Sequence, residues 1–210
     1  MGERRERRER RERKKRETRQ RISDVATTLF IERGYDSVTL DEIAAAAEVS
    51  KMTVFNYFAR KEDLMLDRED LLLLLPFRDA IRTRPKGRSP IDAIRGAADE
   101  LREKKHPFAR SDPRMVNWWR VVGDTPALKS RLRELEDAAG DGLAHELAGP
   151  EPDGAARLAA AMIVVTMRTA REEAIRLLGK RVSAKKANAA FHAVLDRGLD
   201  AVERVVKQKG

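Results

Sequence analysis

The stretch that decides the fold is residues 38–57, VTLDEIAAAAEVSKMTVFNY. Thr39, with Glu42 three residues later, has the pattern of a capping box, so a short helix is predicted over 40–47. Ser50 is a residue type that caps helices, and it predicts a second short helix after a tight turn. This is the spacing of a helix-turn-helix, in which the second helix enters a DNA groove, although an ordinary helical hairpin fits it equally well.

A longer helix is predicted before this stretch, over residues 18–33. Its apolar residues recur at helical spacing and form one stripe: Ile22, Val25, Ala26, Leu29 and Phe30. Gly34 supplies the stop, because glycine readily takes the left-handed backbone that ends a helix. The helix after Ser50 is predicted over 51–58, with Val54 and Phe58 facing the core.

Residues 22–64 closely resemble the DNA-binding domain of the tetracycline-repressor (TetR) family of bacterial transcriptional regulators. The resemblance is carried, in order, by Ala26, Leu29-Phe30, Arg33-Gly34-Tyr35, Thr39-Leu40, Ile43-Ala44, Ala47, Val49-Ser50-Lys51, Thr53-Val54-Phe55, Tyr57-Phe58 and Lys61-Glu62-Asp63-Leu64. It covers about a fifth of the chain. The sequence departs from the family at Glu48, where Gly is frequent in the turn, at Met52, where Gly or Pro is frequent, and at Phe55, where Tyr is frequent.

The resemblance implies an all-α protein with an N-terminal three-helix helix-turn-helix DNA-binding domain and a larger C-terminal helical regulatory and dimerisation domain. The predicted divisions are a basic, disordered arm over 1–17, the DNA-binding domain over 18–64 and the ligand-binding and dimerisation domain over 65–210. It further implies a homodimer, joined through the last two helices, that binds a pseudo-palindromic operator in double-stranded DNA. Such a protein is expected to be a repressor that a small-molecule effector releases from DNA.

The side chains expected to face DNA lie in and around the second short helix. A Lys can reach guanine, an Asn adenine, and a methyl-bearing side chain the thymine methyl group. The candidate base-facing residues are therefore Lys51, Met52, Thr53 and Asn56. Phosphate contacts are expected from Thr39 and Tyr57, and, by resemblance, from Lys61. The whole candidate interface is Thr39, Ser50, Lys51, Met52, Thr53, Phe55, Asn56, Tyr57 and Lys61.

The charge of the chain is concentrated at its start. Residues 1–21 hold twelve Arg and Lys against five Glu, whereas the other 189 residues hold 32 basic and 30 acidic residues. From Glu3 the chain repeats Glu-Arg-Arg and has no apolar face, so this segment cannot pack on a core. Two interpretations stay open: a basic arm that contacts phosphates or the minor groove, and a solubilising low-complexity tail. Both predict disorder in the free protein.

The remainder is predicted to be helical, without strands. A helix over 61–75 is expected to end or kink at Pro76. Three further starts share an N-cap residue followed by Pro, and they predict helices over 90–105, 113–122 and 126–147. The last two helices are predicted over 155–178, with Gly179 as the stop, and over 184–207. A pocket for an effector is expected among apolar side chains of this region: Phe108, Met115, Trp118, Trp119, Met162 and Met167. Because Trp118 and Trp119 are adjacent on a helix, only one is expected to face a given cavity.

Other classes of function find little support in the sequence. The chain has no Cys, and no apolar run is long enough to span a membrane, so a cytoplasmic protein without a membrane partner is expected. His106, His145 and His192 lie far apart, without metal-ligand or catalytic spacing. No catalytic residue, metal or cofactor is therefore expected, and the chain is not expected to be an enzyme. Two alternatives remain: a DNA-binding protein without ligand control that relies on its basic arm, and a helical enzyme.

Overall fold

The computed structural model describes residues 2–68, 72–113 and 115–207, and their side chains except those of residues 2–4, 108 and 207. The backbone forms two compact units: a first unit of Met1–Asp67 and Arg120–Lys129, and a second unit of Arg68–Trp119 and Ser130–Gly210. The described residues contain helices and no strand, which confirms the all-α prediction.

The first unit is built on four helices: α1 Gly2–Arg33, α2 Leu40–Ala46, α3 Lys51–Tyr57 and α4 Lys61–Met65. The predicted stripe of α1 provides the core, in which Ile22, Ala26 and Phe30 are fully buried. Gly34 ends α1 with φ +87°, as expected for a left-handed stop. Both predicted caps are present: Glu42 N–H donates to Thr39 Oγ1 over 3.2 Å, and Thr53 N–H donates to Ser50 Oγ over 3.0 Å.

Helix α1 is longer than expected at its N-terminal end. It begins at Gly2 rather than at Thr18, so the basic segment predicted to be disordered is helical in this structure. Two ion pairs stabilise this part of the helix, Arg5–Glu9 at 2.9 Å and Arg13–Glu17 at 3.6 Å. The two members of each pair lie four residues, or about one helical turn, apart. The Glu-Arg-Arg repeat, which places Arg5 and Glu9 four residues apart, therefore gives this segment local ion pairs although it has no apolar face.

The prediction of one helix over 61–75 is wrong. Helix α4 ends at Met65, and Leu72 is helical, with its N–H donating to Arg68 O over 2.9 Å. The helix that contains Pro76 begins separately at Leu75, after Leu74 has adopted a left-handed backbone with φ 52°. Pro76 lies in the first turn of this new helix instead of ending the old one. A proline is tolerated there because it has no N–H to donate and the first turn requires none. Residues 69–71, including Leu71, are outside the described residues.

The described chain then continues through further helices. They are α5 Leu75–Thr83, α6 Pro90–Glu103, α7 Met115–Asp124, α8 Pro126–Ala148, α9 Gly154–Gly179 and α10 Ala184–Lys207, with a 3-10 turn at Pro107–Ala109. The starts at Pro90 and Pro126 are confirmed. The start predicted at Pro113 is displaced to Met115, because the Met115 N–H bonds to Asp112 O over 2.8 Å and leaves Pro113 in a turn.

The core of the second unit lies largely between α9 and α10. Residues of α9, most of them alanines, and larger residues of α10 are buried together: Ala159, Ala160, Ile163, Ala170, Ala174, Phe191, Leu195, Leu199 and Val202. A Cβ added at Gly198 would lie 2.2 Å from the Thr166 side chain, so glycine is what permits this close approach. Gly179 is the last residue of α9, and the left-handed backbone falls on Arg181 with φ 59°. Among the described helices, none has the length and apolar character of a membrane span.

Candidate nucleic-acid interface and ligand pocket

Helix α3 is fixed at both ends, so the orientation of its exposed side chains is set by the fold. Ser50 caps its first turn, and Val54 and Phe58 are 1% and 3% exposed, as the sequence predicted. At the other end, Arg19 of α1 donates to Tyr57 O over 2.5 Å and to Asp67 Oδ1 over 2.8 Å, with its guanidinium 4.4 Å from the Phe58 ring centre. A charged donor satisfies a carbonyl that the helix itself leaves unpaired.

Arg19 did not emerge from the sequence as a functional residue. A signal for it exists, because Arg19 precedes Ile22 by three residues and Ala26 by seven and therefore lies on the buried face of α1. A cationic side chain on the buried face of a helix is expected to form a hydrogen bond or an ion pair.

The exposed face of α3 consists of Lys51, Met52, Phe55 and Asn56. Met52 is 67% exposed and Phe55 is 48% exposed, which is unusual for large apolar side chains on a short helix. These four residues lie at positions i, i+1, i+4 and i+5 and thus form one continuous face. Lys51 Nζ donates to Asp41 Oδ2 of α2 over 2.8 Å, so its amine is held beside this face.

Three of the predicted contact residues are already engaged in local structure. Thr39 and Ser50 use their hydroxyl oxygens to cap α2 and α3, as described above. Thr53 was expected to point away from the core, but it is half-buried, with its hydroxyl 2.8 Å from Ser50 Oγ. The exposed face of α3 is thus narrower than the sequence suggested.

Lys61 is held by the loop that follows α1. Its Nζ donates to Tyr35 O over 2.7 Å and lies 4.3 Å from the centre of the Tyr35 ring. Burial is the largest cause that lowers the pKa of Lys61, and it also raises the pKa of the Tyr35 phenol well above its ordinary value. The amine is therefore positioned by the protein before any other partner arrives.

One side of the N-terminal half of α1 forms an open cleft with the end of α3. The cleft is lined by Arg7, Arg8, Arg11, Glu12, Lys14, Lys15, Thr18, Asn56 and Tyr57. The spacing of its α1 members places them on one helical face. No ion pair within the described side chains engages these five cations, whereas Arg5 and Arg13 are paired with Glu9 and Glu17. The cleft is therefore strongly positive.

The second unit contains a separate pocket with apolar and cationic walls. It is lined by Arg68, Leu72, Pro107, Arg110, Ser111, Met115, Trp118, Trp119, Met167, Arg171 and Phe191. The structure thus brings together Met115, Trp118, Trp119 and Met167 of the predicted set. Met162 instead packs against the core, and the Phe108 side chain is outside the described residues.

Both tryptophans line this pocket, contrary to the expectation that only one would. Their ring centres lie 4.5 Å apart at an interplanar angle of 80°, an edge-to-face pair. The bulk of two indoles allows neighbouring residues of α7 to border the same space. Arg171 was missed by the sequence analysis, yet it follows Met167 by four residues on α9 and so shares its face.

The hydrogen-bonding groups of Arg171 are incompletely satisfied. Its Nη2 lies 3.6 Å from Glu136 Oε1, beyond hydrogen-bond distance, while Glu136 Oε2 accepts a 3.0 Å hydrogen bond from Arg168. Neither Arg171 Nε nor Glu136 Oε1 has a hydrogen-bond partner among the described residues. The guanidinium lies 4.4 Å from the Trp119 ring centre. Burial lowers the pKa of Arg171 to about 10, which leaves it cationic at neutral pH. Within the described ranges, His, Asp and Glu side chains do not gather in groups of three that could hold a metal ion.

The region that contains α3 is similar in sequence to known proteins. Residues 22–67 match a family sequence model described as bacterial regulatory proteins, tetR family. The HTH-type transcriptional regulator TcmR of Streptomyces glaucescens is 38% identical over 72 residues, which cover 34% of this chain and 31% of TcmR. IcaR of Staphylococcus epidermidis, the HTH-type negative transcriptional regulator of the biofilm operon icaADBC, is 39% identical over 44 residues, covering 21% and 24%. The chain thus spans about a third or less of the length of these relatives.

Solved structures resemble a larger part of the chain. A SmeT–triclosan complex has a TM-score of 0.57 at 21% identity and covers 88% of this chain and 90% of its own. Salmonella enterica GusR has a TM-score of 0.53 at 17% identity, with coverage of 90% and 95%. At such identities the likeness shows that the fold is shared.

Proposed function

We infer that this chain, a member of the tetR family of bacterial regulatory proteins by its residues 22–67, is a DNA-binding transcriptional repressor. The observation that carries the proposal is the face of Lys51, Met52, Phe55 and Asn56, exposed on a helix that Ser50 and Arg19 fix at its two ends. Rigid presentation matters because base edges are distinguished by the position of hydrogen-bonding groups and methyl groups in the major groove.

The side chains of this face suit different features of the groove. Lys51 can donate to guanine, Asn56 can pair with adenine, and Met52 and Phe55 can contact the thymine methyl group. Lys61, Tyr57 and the caps Thr39 and Ser50 are proposed to position the helix through phosphates. Chromosomal DNA as the partner requires a cytoplasmic location, and a regulator of this kind needs no catalytic group.

The proposed active form is a homodimer joined through α9 and α10. Supporting this, Leu158 and Val165 of α9 are 52% and 46% exposed and lie seven residues apart on one face. A second copy would cover them. Two copies of α3 would then contact half-sites about one helical turn of DNA apart.

The pocket beside Trp118 and Trp119 supports control by a small molecule. A ligand that binds the DNA-free form more tightly than the DNA-bound form weakens DNA binding by the same factor that DNA weakens ligand binding. The ligand is proposed to shift the population of dimers toward a form whose two α3 helices no longer match the half-sites.

Selection of bound duplexes from a random DNA pool tests the DNA-binding proposal. We expect an enriched, two-fold symmetric site with half-sites about 10 base pairs apart. Enrichment of single half-sites would contradict the dimer, and the absence of any enriched sequence would contradict the function itself.

Matched DNA duplexes that differ by one methyl group test the assignment of Met52 to this face. Each thymine of the selected site is replaced in turn by deoxyuridine, which removes only the methyl group. Wild-type protein is expected to lose affinity at the positions that α3 contacts, and Met52→Ala should abolish this difference at one position while leaving it at others. Glu32→Gln, on an exposed part of α1, serves as the control that should retain every difference.

A further inference from the structure

The pocket of the second unit has features that specify the chemistry of its ligand. Its walls combine the apolar side chains Met115, Trp118 and Met167 with the guanidinium of Arg171. Trp118 is 7% exposed, so this part of the wall is withdrawn from solvent. We therefore expect the ligand to have an apolar portion, because contact between apolar surfaces removes both from water.

The charges around the pocket are unequal. No carboxylate appears among the described lining residues, whereas three guanidiniums do, those of Arg68, Arg110 and Arg171. Arg110 has a carboxylate partner in Asp112, at 3.4 Å. Glu136 is shared by Arg168 and Arg171, and the charge of Glu172 also acts on Arg171. The described residues that line the pocket therefore have an excess positive charge.

The geometry at Arg171 shows that Glu136 does not consume its hydrogen-bonding capacity. A bidentate pair would place two guanidinium N–H groups within hydrogen-bond distance of the two carboxylate oxygens. Instead Nη2 stays 3.6 Å from Oε1, and Arg171 Nε and Glu136 Oε1 are buried without hydrogen-bond partners among the described residues. The Trp119 ring below the guanidinium holds it in place without accepting its in-plane donors.

We propose that this pocket binds a small apolar carboxylate, with the carboxylate on Arg171 and the apolar portion among Met115, Trp118 and Met167. Carboxylate is the anion whose planar, two-oxygen shape matches a single guanidinium. The enclosed space is about 50 Å³, enough for a group the size of a few water molecules. The flexible Met side chains can move to admit the rest of a larger ligand.

This inference rests on the proposed function in one respect: it takes the bound carboxylate to be the effector. Binding itself can be measured on the full chain without DNA. The chain has two tryptophans, both in this pocket, so its indole emission reports on this site. The probes are 3-phenylpropionate and octanoate, each compared with its neutral primary amide of the same shape.

Titration of the wild-type chain with the two pairs is the first test. We expect each carboxylate to change the indole emission saturably and to bind roughly tenfold or more tightly than its amide, as hydrogen bonds to a charged group would give. Amides that bind as tightly as the carboxylates, or carboxylates that give no saturable change, would overturn the proposal.

Variants of α9 then test whether Arg171 is the residue that binds the carboxylate. Arg171→Gln should remove the preference for carboxylate over amide, Arg171→Lys should restore part of it, and Arg176→Gln, an exposed arginine paired with Glu173, should leave it intact. A preference that survives Arg171→Gln would overturn the assignment. If Arg171→Gln does not fold, as judged by circular dichroism, the wild-type comparison of acid with amide decides the matter.

The DNA selection described above separates this proposal from the proposed function. If the chain selects a symmetric DNA site but does not bind carboxylates, the proposed function is supported and the proposed ligand class is wrong. If the chain binds carboxylates saturably but selects no DNA, the ligand class is supported and the proposed function is wrong. With both present, adding octanoate to the protein–DNA complex is expected to release DNA, and octanamide is expected to do so only at roughly tenfold higher concentration.

Discussion

Lys61 at the start of α4 donates a hydrogen bond from Nζ to the backbone oxygen of Tyr35 over 2.7 Å, and the same amine lies 4.3 Å from the centre of the Tyr35 ring. This interaction joins the loop after α1 to the beginning of α4, two segments 26 residues apart. The residue proposed to hold a DNA phosphate is thus also a structural tie within the first unit.

Lys61→Met is expected to lower the free energy of unfolding by about 1–2 kcal/mol, because it removes both a charged hydrogen bond and a cation–π interaction. Urea denaturation measures this. Lys51→Met is the matched control: its exposed pair with Asp41 contributes little, so stability should change by less than about 0.5 kcal/mol while DNA affinity still falls. Equal decreases in stability for the two variants would show that the Tyr35 interaction is unimportant.

The turn between α2 and α3 contains a residue in an unfavourable conformation. Glu48 has φ 53°, a left-handed backbone that suits glycine. Glu48→Gly is expected to raise the free energy of unfolding by about 0.5–1 kcal/mol, the difference between relieved strain and the greater entropy of glycine when unfolded. The midpoint of urea denaturation reports this change.

Gly34→Ala provides the opposite comparison. Its φ is +87°, and an added Cβ would meet nothing within 4 Å, so any decrease in stability comes from the backbone alone. We expect destabilisation of about 1 kcal/mol. If both changes shifted the urea midpoint in the same direction, the left-handed conformation would not explain either.

Acid should weaken the first unit through Glu42. The backbone N–H of Thr39, and then Arg33, lower the pKa of this carboxylate from its ordinary 4.5 to about 2. Since the folded-state pKa is depressed, the stabilisation is present above about pH 4.5 and disappears as the pH falls toward 2. Urea midpoints across this window should fall more steeply for the wild type than for Glu42→Gln, and the two should converge near the acid end. Glu32→Gln should follow the wild type.

The basic face of α1 is expected to increase affinity for DNA without contributing to sequence specificity. Changing Arg7, Arg8, Arg11, Lys14 and Lys15 to Gln should reduce the slope of log affinity against log salt by about 0.9 for each phosphate that the variant no longer neutralises. Arg5→Gln with Arg13→Gln should have a smaller effect, because those side chains are paired with Glu9 and Glu17. The selected DNA sequence should be unchanged; an altered sequence would mean that α1 also contacts bases.

The dimer proposal predicts that charge on the exposed apolar face of α9 prevents association. Leu158→Glu with Val165→Glu should give a folded monomer in sedimentation velocity, because two charges would be buried without partners. Met52→Glu is the control, since Met52 is 67% exposed but lies on α3. A dimer that tolerates both charges would place the interface elsewhere.

Local and tertiary contacts both determined features of the interface that the pattern of apolar residues did not contain. Thr53 was expected to face outward because of its position on a helical wheel, but its hydroxyl turned to the cap at Ser50. Arg19 fixes the end of α3 through a carbonyl 38 residues away. The pairing of two adjacent tryptophans with Arg171 in one pocket depends on the approach of α7 to α9, which the spacing of neither helix could predict.

The sequence by itself determined helices α2 and α3, the caps at Thr39 and Ser50, the stop at Gly34 and the exposure of Met52 and Asn56. Those features depend on interactions within about four residues, which a linear pattern records directly. Only the tertiary structure decided that Lys61 is held by Tyr35, that Pro76 begins a helix, and that Arg171 Nε is buried without a hydrogen-bond partner among the described residues. Each of these depends on which distant groups the folded chain brings within a few ångströms, and on which of their charges and hydrogen bonds it leaves unmatched.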